Sequence, residues 1–486
     1  MRIATSNAVP PEEARAALFA GNKRFVRGNG GLASGFDGSL MTELTEGGQK
    51  PLTVVLGCAD SRAPPEIFFD QRPGDLFVLR TAGNTCGTLG GSLIGSAEYA
   101  IAVLGSKHIV VTAHTKCGAV TASVQAAIDN ADTSQIGGSI GKVVDDIIDA
   151  AREAIKQEPN APLAEQVALA TEINVISTIK KLIEASPIIK AAAANGELQI
   201  DGAVYDIFTG EVQWLGQHPD LPEIVGKEMP YFAFTQSVFP RGSNFGTAKD
   251  AAKDAGATIM VPALPCGSSD ALQRLREGNA RFVQGTPTTS MVTSEPADPF
   301  AIVIGGGEVR VPIERIFDTS TGELLVQRVM GNVAGEAGGT LLSSIEFAVS
   351  RYNPKVLMVM GDSSSRVLRA AINKVDGGPV TSSAVRYIMD RVSVGVLRAK
   401  KNMEGDTSLT AAGRELKATE LAAELNAFYQ IERLLTSKII RDAVHSNGLE
   451  LHAAVLSAQT GVVEFLGMHP ANALLLQEDN SNSNYS

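Results

Sequence analysis

Residues 51–120 recur at residues 299–368 without a gap, at a constant offset of 248 positions, and about a third of the aligned positions are identical. A repeat of this size has to be recognised before the fold is read, because each copy must form a similar unit. The repetition extends in both directions. Leu275-Arg-Glu-Gly-Asn-Ala-Arg-Phe-Val-Gln-Gly285 echoes Leu18-Phe-Ala-Gly-Asn-Lys-Arg-Phe-Val-Arg-Gly28, and Phe465-Leu-Gly-Met-His-Pro470 echoes Trp214-Leu-Gly-Gln-His-Pro219.

Within the first copy, Leu52–Gly57, Leu76–Arg80 and His108–Ala113 are short apolar runs rich in β-branched residues, which predicts buried parallel strands. Residues 10–28 and 90–104 have helical spacing, and Gly91, Ser92, Gly95 and Ser96 give the second of these a small-residue face for close packing. A long helical region from Ile140 to Ala194, interrupted near Pro159 and Pro162, precedes Gln199–Tyr205, expected as an edge strand. This alternation predicts an α/β fold with a mainly parallel central sheet flanked by helices, formed twice.

Two of the predicted strands end in reactive side chains. Cys58-Ala-Asp-Ser-Arg62 follows the first run, and His114-Thr-Lys-Cys117 follows the third. Open α/β sheets keep their ligand sites at the carboxyl ends of strands, so two thiols and one imidazole can meet there. They have the right softness for zinc, and three protein ligands leave a fourth position for water or a carboxylate. Asp60 is the candidate for that fourth role, with Arg62 holding it through a bidentate pair.

These blocks resemble the β-class carbonic anhydrases. The resemblance rests on Cys58–Arg62 and His114–Ala119 together with Phe69-Asp-Gln71, Gly74–Arg80, Ala82-Gly-Asn84 and Ser96-Ala-Glu-Tyr-Ala100, in one order. It implies zinc on Cys58, His114 and Cys117, a catalytic Asp60–Arg62 dyad, and a substrate pocket lined by Gln49, Phe77, Tyr99 and Gly118. It also implies an amino-terminal helix packed on a partner subunit. Val55 stands where some members carry a tryptophan marking an inhibitory bicarbonate pocket, so the first copy is similar to the non-allosteric type.

The offset reads the second copy position by position. Cys58 falls on Gly306, His114 on Asp362, Cys117 on Ser365 and Asp60 on Glu308, while Arg62 is matched by Arg310. No soft ligand remains, which predicts one zinc ion per chain, in the first copy alone. The expected organisation is a zinc-binding domain over 1–220, a connector over 221–266, a degenerate domain over 267–475 and a disordered tail over 476–486.

The formal net charge is −11 and there is no concentrated basic stretch, which argues against a nucleic-acid partner. No apolar run approaches the roughly 18 residues of a membrane span. No targeting signal is visible at the amino end, and four cysteines are too few for a disulfide scaffold. Cys86 and Cys266 read as ordinary thiols. A cytoplasmic or other reducing location, such as a plastid stroma or bacterial microcompartment, is expected.

The expected function is reversible hydration of CO2 to bicarbonate by the first half, in a homo-oligomer. The same scaffold also suits a hydrolase of carbon disulfide or carbonyl sulfide, or a scaffold or regulatory protein with structural zinc. One tension is built into the duplication. If the halves pair as an internal pseudo-dimer, favoured by their covalent linkage, the zinc site faces Ala297, Leu325 and Phe347 in place of Gln49, Phe77 and Tyr99.

Overall fold

The computed structural model describes residues 7–31, 42, 44–45, 48–60, 62–87, 91–136, 140–226, 267–286, 299–335, 339–378, 380, 383–404 and 410–477. Most of the expected connector (227–266) and of the expected tail (478–486) lie outside the described residues.

The first half supplies β1 (Thr53–Cys58), β2 (Leu76–Thr81), β3 (His108–His114), β4 (Gln199–Tyr205) and β5 (Val212–Gly216). The second supplies β6 (Ala301–Gly305), β7 (Leu324–Arg328), β8 (Val356–Asp362), β9 (Glu450–Leu456) and β10 (Val463–Gly467). They form one ten-stranded sheet in the order β10-β9-β8-β6-β7-β2-β1-β3-β4-β5. Each half is parallel except for its outermost strand. Gln199–Tyr205 is therefore not the edge, because β5 covers it. The run Val212-Gln-Trp-Leu-Gly216 is short and half-polar, which hid it from a periodicity reading.

β1, β2 and β3 are buried along their whole length, as their Val- and Leu-rich sequences require between two helical layers. Helices α1 (Pro11–Val26), α2 (Ser92–Ala102) and α3 (Gly118–Ile128) flank the first half. In the second half α4 (Thr340–Tyr352) and α5 (Arg366–Val375) correspond to α2 and α3. α1 begins with Pro11 and the acidic Glu12 and Glu13 and ends with Lys23 and Arg24, the charge order that complements a helix dipole. It packs on its own half: Asn22 donates from Nδ2 to the carbonyls of Phe68 (2.9 Å) and Gly210 (2.8 Å).

The halves meet as an internal pseudo-dimer where β2 and β7 run antiparallel, with Arg80 opposite Arg328. Both arginines are fully buried, and each crosses to the other half: Arg80 Nη1 donates to Glu314 Oε1 at 2.6 Å, and Arg328 Nη1 donates to Glu66. Arg80/Arg328 and Glu66/Glu314 are equivalent positions of the repeat, so the pairs are related by a pseudo-twofold axis. The small-residue face of α2 closes the same seam. Ser96 Oγ accepts from Met330 N at 3.1 Å, and its counterpart Ser344 Oγ accepts from Ala82 N at 3.0 Å.

Removing one partner of a buried ion pair strands the other charge, at a cost of about 3–5 kcal/mol. Glu314→Ala is expected to destabilise the chain by that amount in denaturant unfolding, and Glu66→Ala by a similar amount. Losses below about 1 kcal/mol, the scale of an exposed pair, would show that the seam is not closed in this way.

Candidate metal centre

Cys58 is the last residue of β1, His114 the last of β3, and Cys117 caps the amino end of α3. Between the latter two, Lys116 adopts φ 56°, a left-handed conformation that turns the chain back within two residues. The ligand atoms of Cys58, His114 and Cys117 all lie within 4.8 Å of one another, and all three residues are buried. Cys58 Sγ and Cys117 Sγ are 3.9 Å apart. Two thiolates on a tetrahedral zinc, at about 2.3 Å each, stand about 3.8 Å apart, so the donor set fits that ion.

His114 is already oriented as a metal needs. Nδ1 donates to the Thr115 carbonyl at 3.0 Å, leaving Nε2 turned inward, buried and without a hydrogen-bond partner, as the nitrogen a metal would take on displacing its proton. A hydrogen bond from Cys117 holds the Cys58 thiol well below its ordinary pKa and raises that of Cys117. At least one of the two is thus poised as a thiolate.

Asp60 lies next to this cluster, with Oδ2 3.8 Å from His114 Nε2. Arg62 Nη2 donates to Asp60 Oδ2 at 2.6 Å, Nε reaches both oxygens, and the Arg62 backbone N–H donates to Oδ1 at 2.9 Å. Burial alone would raise the Asp60 pKa, but His114 and Arg62 outweigh it and bring it to about 2. The loop itself is clamped from β2: Arg80 donates to the Cys58 carbonyl (2.9 Å) and the Asp60 carbonyl (2.7 Å) while paired with Glu314.

The far wall of the cluster comes from the second half. Asp60 forms an antiparallel bridge with Leu325, and Val326 N donates to the Ala59 carbonyl at 2.9 Å. Phe347 is buried in one apolar cluster with Cys58, Cys117 and Ala119. Tyr352 brings its hydroxyl within 3.2 Å of where a Cβ on Gly118 would stand. Ala297 lies outside the described residues.

The four residues expected to line one pocket are divided between two places. Gly118 adjoins the Cys58–His114–Cys117 cluster, but Phe77, Tyr99 and the Gln49 segment lie against the second half. Phe77 packs on Gly307, and the Tyr99 hydroxyl faces Arg366 and Glu308. Gly48, next to Gln49, abuts the Arg366 guanidinium. The reason is the antiparallel seam, which turns each half's pocket-lining face toward the other half's strand ends.

The second cluster is built differently. Glu308 Oε2 accepts from Ser365 Oγ and Arg366 N, both at 3.1 Å, and so caps α5, while Asp362 Oδ1 accepts from Ser364 N at 2.8 Å. Burial, with Asp362 nearby, raises the Glu308 pKa. Arg366 occupies the position of Gly118 and fills the space that the glycine leaves open in the first half. A cavity of about 10 Å³ beside Arg310 and Asp362 has room for about one water.

The sequence reading missed Tyr352, which aligns with the apolar Leu104, and the seam residues Glu66, Arg80, Glu314 and Arg328. A signal for the latter existed: charged residues in or beside apolar runs, retained in both copies.

The family model described as "Carbonic anhydrase" matches residues 53–212 and again 301–463. Carbonic anhydrase 2 of Mycobacterium tuberculosis is 35% identical over 216 residues, covering 41% of this chain and 90% of that protein. A carbonic anhydrase of Mycolicibacterium smegmatis is 34% identical over 214 residues, covering 44% of this chain and 98% of that one. Among solved structures, the Coccomyxa β-carbonic anhydrase in complex with acetazolamide is 27% identical with a TM-score of 0.33, covering 38% of this chain and 82% of that one. The chain belongs to the carbonic anhydrase family, in the β-class form its motifs resemble, and carries the family's unit twice in tandem.

Proposed function

We propose that the first half catalyses the reversible hydration of CO2 to bicarbonate with one zinc ion per chain, and that the second half serves as structural partner to that site. The observation that carries this reading is the buried Cys58–His114–Cys117 triangle, with its unpartnered Nε2, beside the Asp60–Arg62 pair. We assign residues 1–220 to the zinc-binding unit and 267–475 to its partner unit. Among the described residues no helix is long and apolar enough to cross a membrane.

In this reading Cys58 and Cys117 bind as thiolates and His114 through Nε2, oriented by the Thr115 carbonyl. Zinc bound there would supply the Lewis acidity that makes water a nucleophile toward CO2. Asp60, kept ionised by Arg62, would act as the hydrogen-bond acceptor that orients that water. Gly118 leaves space for the substrate, and Phe347 and Leu325 form an apolar wall that excludes competing water.

Three outcomes are expected. Elemental analysis should find one tightly held zinc per chain; two would refute the assignment of Gly306, Asp362 and Ser365 as a metal-free position. His114→Ala should abolish both zinc retention and CO2 hydration, whereas Asp362→Ala should hydrate CO2 within about twofold of the native chain. Comparable losses would reveal a catalytic role for the second cluster.

The pH dependence of stability follows from Asp60. Because its pKa falls from an ordinary 3.8 to about 2 in the fold, through His114 first and Arg62 with it, its ionised form contributes about 2 kcal/mol. That contribution is complete above the unfolded value and is lost as pH falls toward 2. In the zinc-free chain, Asp60→Asn should therefore unfold more easily at pH 7 by about this amount, with the difference shrinking below pH 4. A difference independent of pH would contradict the assigned ionisation.

A further inference from the structure

Tyr352 is the last residue of α4, a second-half helix whose Phe347 already forms part of the wall over Cys58 and Cys117. Its hydroxyl stands next to Gly118, and the charged groups acting on it are Asp60, Cys117, Cys58 and Arg62, all of the first-half cluster. It has no hydrogen-bond partner among the described residues. The other polar groups at this wall are committed. Ser344 Oγ donates to the Thr340 carbonyl at 2.7 Å and accepts from Ala82 N, and Arg62 is held by Asp60. Phe347 has no hydroxyl where its counterpart Tyr99 has one, and the counterpart of Tyr352 is the apolar, buried Leu104.

The second half thus lacks a hydroxyl at one point of the wall and carries one five residues later on the same helix. We infer that Tyr352 donates a hydrogen bond to an oxygen of the substrate or product beside Cys58, His114 and Cys117, so that the second half contributes a catalytic residue to the first half's reaction. A phenol ordinarily ionises near pH ~10, so the group is a donor throughout the neutral range. Bicarbonate offers charged oxygen acceptors, and a hydrogen bond to a charged group is stronger than one between neutral groups. Loss of such a bond corresponds to roughly a tenfold change.

This inference rests on the zinc and CO2 reading above, and the test separates the two. Tyr352→Phe removes one oxygen without a partner and leaves the ring packing in place. The kcat/KM for CO2 hydration by the zinc-loaded full chain is expected to fall about tenfold. With cobalt(II) in place of zinc, titration with bicarbonate followed by the visible absorption of the metal should show affinity weakened to a similar extent, with cobalt uptake unchanged. A variant that matches the native chain in both rate and bicarbonate affinity overturns the inference and leaves the function intact. Altered cobalt uptake would also overturn it, by showing that Tyr352 holds the site together. If the native chain fails to hydrate CO2 while the variant still binds bicarbonate more weakly, the function fails and the role of Tyr352 as donor stands.

Discussion

The Arg80 guanidinium joins three things that would otherwise be independent: the strand that meets the other half, the loop that carries Cys58 and Asp60, and a carboxylate of the second half. It pairs with Glu314 while donating to the carbonyls of Cys58 and Asp60. A buried ion pair is not by itself a strong source of stability compared with apolar packing of equal volume. Its consequence here is specificity. Only one register of β2 against β7 lets Arg80 reach Glu314 and Arg328 reach Glu66, and a slip by one residue would turn every side chain to the wrong face.

A covalent duplication makes the two sites of this arrangement unequal. The first-half pocket face is handed to the second half, so Gln49, Phe77 and Tyr99 attend a cluster in which Gly306, Asp362 and Ser365 stand at the positions of Cys58, His114 and Cys117, and Arg366 at that of Gly118. The zinc-type cluster receives Leu325, Phe347 and Tyr352 in exchange. The second half is thus not a spare copy. Its Glu314 holds Arg80, which clamps the loop of Cys58 and Asp60, and its α4 forms the wall over Cys58.

Much of this was legible in the sequence because it depends on local pattern. The strands ending at Cys58 and His114 follow from apolar runs, the meeting of Cys58, His114 and Cys117 from their places after those strands, and the equivalence of Gly306, Asp362 and Ser365 to them from a constant offset. What could not be read was decided by tertiary pairing. Which cluster Gln49, Phe77 and Tyr99 face depends on which half lies across the seam; covalent linkage already favoured the internal pairing, but not the contacts that carry it. β4 was taken for an edge because β5 carries a weak strand signal. Tyr352 was hidden because its counterpart Leu104 has no functional chemistry, although a tyrosine in an otherwise apolar slot was a visible anomaly.

The central claim is that the cluster of Cys58, His114 and Cys117 is completed by the second half of the same chain and not by Gln49, Phe77 and Tyr99 of another. Tyr99→Phe tests it with the least disturbance, since it removes only the hydroxyl that faces Arg366. The kcat/KM for CO2 hydration of this variant should lie within about twofold of the native chain. A loss of tenfold or more would mean that intact halves pair between chains and that the internal pseudo-dimer is not the working form.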